Sequence, residues 1–66
     1  MSQEKQVADE LKKMFLENRI PTSIQEDINE ISEQLSNGKV NLSELEKRDE
    51  FVVDIIHQAI NRTGHP

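Results

Sequence analysis

Residues 45–60 read LEKRDEFVVDIIHQAI. Wound as a helix, this stretch spreads Leu45, Phe51, Val52, Val53, Ile55, Ile56, Ala59 and Ile60 around more than half of the helical wheel. A helix that lays one side on a small core needs an apolar arc of roughly 100°. The surplus must be covered by the rest of the chain, by a second copy, or by a different protein. Arg48 and Asp49 project into the same arc between Leu45 and Phe51. They stand either at an end of the bundle open to water, where the Arg stem snorkels, or at an interface whose register they fix.

Upstream, the spacing predicts two more helices. The first covers about 4–18, with Val7, Leu11, Met14 and Phe15 on one face, Ala8 beside them and Leu16 off it. Pro21 should end it, because the residue before a proline is pushed away from helical geometry. The second covers 23–36, where Ile24, Ile28, Ile31 and Leu35 recur at spacings of four, three and four in a narrow seam. Thr22 with Gln25, or Ser23 with Glu26, matches a capping box at its start. Gly38 supplies its stop, since glycine enters the left-handed conformation that closes a helix. The third helix is expected over 42–61, with Asn41 as N-cap and Glu44 at the box position, Ser43 with Glu46 as a competing box, and Val40 against Leu45 as a hydrophobic staple. Gly64 and Pro66 mark a frayed end.

No strand alternation, repeat or linker interrupts this pattern, and the loops are short. The expectation is an all-α fold of one domain over 1–66: a small three-helix bundle with the third helix at its centre, or one completed by homodimerisation through that helix.

Sixty-six residues without a cysteine cannot lean on disulfides or thiolate metal sites. No apolar run approaches bilayer length, and the start MSQEKQ lacks the order of a signal peptide. The expectation is a complete cytoplasmic protein with no membrane contact. In such a protein the triplets Asn41-Leu42-Ser43 and Asn61-Arg62-Thr63 are chance matches to a glycosylation acceptor.

A net charge of −5 disfavours nucleic acid, because phosphate contacts depend on Lys and Arg. The acidity is concentrated in the middle: residues 20–41 carry Glu26, Asp27, Glu30 and Glu33 against Lys39 alone. That face is solvated or meets a basic partner.

Chemistry finds little support. His57 shares a helix side with Glu50, Asp54 and Asn61, but Asp54 and His57 alone do not make a metal site. His65 lies next to the C-terminus, where chains fray. Ser23, Ser32, Ser36 and Ser43 read as caps or surface positions, and two glycines cannot build a phosphate-cradling loop. No cofactor, metal or small-molecule substrate is expected, and the chain is read as no enzyme. Capping boxes and heptad-like spacings occur in helical proteins of every kind and identify no family.

The expected function is a small acidic interaction module that regulates or adapts a larger partner, or pairs with itself, through helix-mediated contacts. The candidate contacts are Phe51, Val52, Val53, Ile56 and Ile60, with Arg48 and Asp49 at the rim. If the third helix is internal, the acidic face of the second is the fallback surface. The alternative is a dimeric helix-turn-helix DNA-binding protein, which would have to present Glu44 and Glu46 to phosphate at its leading end.

Overall fold

Helix α1, Gln3–Leu16, opens the part of the chain that the computed structural model describes, residues 3–64. His65 and Pro66, expected at a frayed end, lie outside the described residues. Glu4 in the first turn and Lys13 in the last suit the helix dipole. Val7, Ala8, Leu11 and Met14 are buried. Pro21 is not what stops the helix. Asn18 takes a left-handed conformation (φ 60°). Its N–H then donates to the Phe15 carbonyl (3.1 Å) and that of Arg19 to the Met14 carbonyl (3.0 Å). This Schellman closure ends α1 at Leu16, before the proline can act.

After it, Ile20 drops into the core and residues Thr22–Ile24 form one 3₁₀ turn. The expected caps Thr22 and Ser23 lie inside this turn, and neither makes a side-chain cap on the helix that follows. Backbone carbonyls take these N–H groups instead: Pro21 accepts from Ile24 at 3.0 Å, and Thr22 accepts from Gln25 through its main chain. The Gln25 amide also ties back to the Ile20 carbonyl (3.2 Å).

Helix α2, Gln25–Ser36, buries Ile28, Ile31 and Leu35, as the seam predicts. Ser32 joins them instead of lying on the surface. A small side chain fits beside the seam, and its hydroxyl is satisfied by donating to the Asn29 carbonyl (2.9 Å). The helix closes with the same motif as α1. Gly38 stands at φ 73°, and Lys39 N–H donates to the Gln34 carbonyl at 2.9 Å.

The single helix expected over 42–61 is two helices. Asn41 caps the first, α3 (Leu42–Leu45), by accepting the Glu44 N–H at 2.9 Å. Asp49 then leaves helical geometry (ψ 142°) and its carboxylate accepts the Phe51 N–H at 3.3 Å, starting α4 at Glu50–Thr63. The cause is local: aspartate competes with a helix interior for backbone N–H groups and is favoured at an N-cap. The break releases Leu45 from the wheel of α4, so it enters the core from its own direction.

Helix α1 is the centre of the bundle, packed against both α2 and α4. The third segment, expected there, takes a flank. Its chief buried residues, Val52, Ile55, Ile56 and Ala59, close the core from α4, with Val40, Leu42 and Ile60 packed at its margin. Among the described residues there is no strand, and every buried side-chain nitrogen or oxygen has a hydrogen-bond partner. The fold is an all-α small helical bundle.

A candidate protein-interaction surface

Most of the wide apolar arc turns inward. Val52 (4% exposed) and Ile56 (0%) belong to the core, while Val53 and Ile60 are half-buried. Phe51 stays 70% exposed, and Arg48 and Asp49 are exposed with Asp49 engaged as the α4 cap. Two residues apart on a helix means roughly 200° of rotation, so Phe51 and Val53 flank the buried strip on opposite sides. The structure therefore does not gather the seven candidate residues into one patch.

A second apolar feature lies elsewhere. Phe15, expected in the core, is 42% exposed, and Leu16 is 82% exposed. With Leu11 and Lys12 of α1 and Ile28, Asn29 and Ser32 of α2 they border a groove of about 210 Å³. Its floor is apolar and buried at Leu11 and Ile28. Sequence periodicity placed Phe15 on the core face because it marked only the helix side. It could not register that no helix among the described residues covers that side in the last turn of α1, which ends at Leu16, one residue after Phe15. Leu16, off the apolar face, was the available signal.

Charges divide into a paired set and an unpaired one. Arg62 of α4 bonds Glu17 through two nitrogens (3.0 and 3.1 Å) and Glu10 through Nε (3.0 Å). Lys13 extends the chain to Glu10 and Arg19 to Glu17. The hydrogen bond from Arg62 holds the Glu17 carboxyl below its ordinary pKa against an opposing effect of desolvation, with the charges of Arg62 and Arg19 assisting. Glu17 in turn raises the pKa of Arg62. The Arg62 pairings leave no local pattern in the sequence, since Glu17 lies 45 residues away. On α2, by contrast, Glu26, Asp27, Glu30 and Glu33 are exposed, and none forms an ion pair with a lysine or arginine among the described residues.

His57 faces Glu46, with Nε2 at 2.8 and 3.0 Å from the two carboxylate oxygens. The break at Asp49 makes this possible by letting the turn after α3 approach the side of α4. Glu50, Asp54 and Asn61 remain exposed on α4. Among the described residues no three His, Cys, Asp or Glu side chains converge as a metal site, and no helix is long and apolar enough to cross a membrane.

No solved structure matches the chain. Among curated proteins it is similar to YgzA of Bacillus subtilis (strain 168), 40% identical over 62 residues, which cover 94% of this chain and 92% of that protein. The model of the YgzA protein family matches residues 1–63, nearly the whole length. The chain belongs to the YgzA protein family.

Proposed function

We propose that this protein is a small acidic, non-enzymatic interaction module of the cytoplasm, which regulates or adapts a larger partner through helix-mediated contacts. The observation that carries this reading is the position of its two phenylalanines. Phe15 and Phe51 are the chain's only aromatic residues, and both are exposed. A chain this short is poor in core-forming surface, and burying a phenylalanine stabilises by about 1.5–3 kcal/mol. Leaving both outside forgoes that gain, which is accounted for if they bury against a partner. Aromatic side chains are enriched among the residues that dominate binding energy.

Less supports the dimeric helix-turn-helix alternative. The helix that directly follows α2 is a single turn, and Glu44 and Glu46 are exposed there. Like-signed charge at the leading end opposes approach to phosphate.

The test is a photo-reactive amino acid placed in turn at positions 16, 51 and 53 and irradiated in the protein's own cells. The expected result is a discrete adduct with another protein from at least one position. No adduct from any of them overturns the reading. Light scattering over a range of concentrations then states whether a second copy is present.

A further inference from the structure

We infer that the groove between α1 and α2 receives an amphipathic helix of a partner protein whose apolar stripe is bordered by lysine or arginine. This deepens the interaction-module reading and rests on it.

The groove sits between α1 and α2, while α4 packs on another side of α1. Arg62 of α4 meets α1 on the side of Glu10. At 100° per residue, Leu16 lies roughly 120° around α1 from Glu10, and Lys12 about 160° away. The opening therefore faces away from α4. Helices pack by setting the ridges of one into the groove of its neighbours at 8–10 Å between axes. Here such a seat is already shaped, with Leu11 and Ile28 as floor and Phe15 and Leu16 standing as one wall.

Charge selects the occupant. Asn29 borders the groove, and Glu26 and Glu33, three residues before and four after it, continue along the same flank of α2. Glu30 and Asp27 lie beyond them, and α2 contains no lysine or arginine. Lys12 is the one cation among the groove's lining residues. Among the described residues those acids pair with no lysine or arginine, whereas Glu10 and Glu17 of α1 are held by Arg62. A helix seated in the groove with lysine or arginine at its border would meet Glu26 and Glu33, which flank Asn29. A second copy of the chain, at net charge −5, would instead bring acidic α2 faces together, which costs binding energy.

The experiment uses the full chain and two labelled helical peptides of about 18 residues. Both carry leucine at positions i, i+3, i+4 and i+7; one borders the stripe with lysine, the other with glutamate. Fluorescence anisotropy should show the lysine peptide binding at least about tenfold more tightly than the glutamate peptide, with affinity falling as salt rises. Leu16→Glu should weaken the lysine peptide about tenfold or more. This variant separates the groove from charge alone, because an added negative charge elsewhere would strengthen binding to a basic peptide. Leu16 is solvent-facing, so the fold survives the change. Glu26→Lys with Glu33→Lys should abolish the preference between peptides.

Equal binding of the two peptides, binding indifferent to Leu16→Glu, or binding of neither overturns the inference. So does a wild-type dimer that Leu16→Glu dissociates, since the occupant is then a second copy. An adduct captured from position 51 in cells, with no groove binding, leaves the interaction-module reading standing while this inference falls.

Discussion

Arg62, in the last turn of α4, grips Glu17, just past the end of α1, with two parallel hydrogen bonds of 3.0 and 3.1 Å. The fork geometry matches a carboxylate, and Glu10 takes the remaining Nε at 3.0 Å. This links the C-terminal end of the chain to its first helix.

The pair makes a pH-dependent contribution whose sign is defined. The pKa of Glu17 in the folded protein lies below its ordinary 4.5. Its contribution is therefore fully present above the unfolded value and is lost as pH falls through the folded one. Glu17→Gln should lower the melting temperature at pH 7, and the gap to wild type should close as pH falls from the unfolded value of 4.5 through the lower folded one. Arg62→Lys should behave like a partial loss, because an ammonium cannot bond both oxygens in a fork. Thermal melts followed by circular dichroism at several pH values check both.

Asn18 and Gly38 close their helices with the same backbone geometry, so their substitutions should differ in sign. Gly38→Ala should cost about 1–2 kcal/mol in urea unfolding. Nothing lies within 4 Å of the added methyl, so the whole cost is backbone strain at φ 73°. Asn18→Gly relieves a non-glycine residue at φ 60° and should be neutral or stabilising by a few tenths of a kcal/mol.

Asp49→Ala should destabilise by about 1 kcal/mol, the usual loss for an N-cap. Backbone chemical shifts over residues 46–49 should move toward helical values in this variant. Unchanged shifts would show that packing of Leu45, and not the cap, sets the break between α3 and α4.

Burial divides the candidate contact residues by stability as well. Ile56→Ala should cost about 2–5 kcal/mol by opening the core. Phe51→Ala and Leu16→Ala should stay within about 0.5 kcal/mol, since both side chains stand in solvent. Val53→Glu, at a half-buried position, should fall between them. Urea titrations of the four variants order these effects.

Helical periodicity identified an all-α chain and the Ile28, Ile31 and Leu35 seam, and capping chemistry the Asn41 cap and the Gly38 stop. Each of these is written within a few consecutive residues, and local backbone chemistry is enough to express it. The candidate contacts were legible only in part. Periodicity marks a residue as apolar and assigns it a helix face, but it does not say whether another helix covers that face. Val52 and Ile56 are covered by the bundle and Phe51 is not.

The remaining features depend on packing. Asp49 could continue a helix or cap one, and the choice of a cap goes with separate routes into the core for Leu45 and Val52. The central place of α1, the Glu46 contact to His57 and the Arg62 pairing with Glu10 and Glu17 join residues distant along the chain. Such contacts leave no local pattern, because loop closure and helix packing, not neighbouring side chains, bring their partners together.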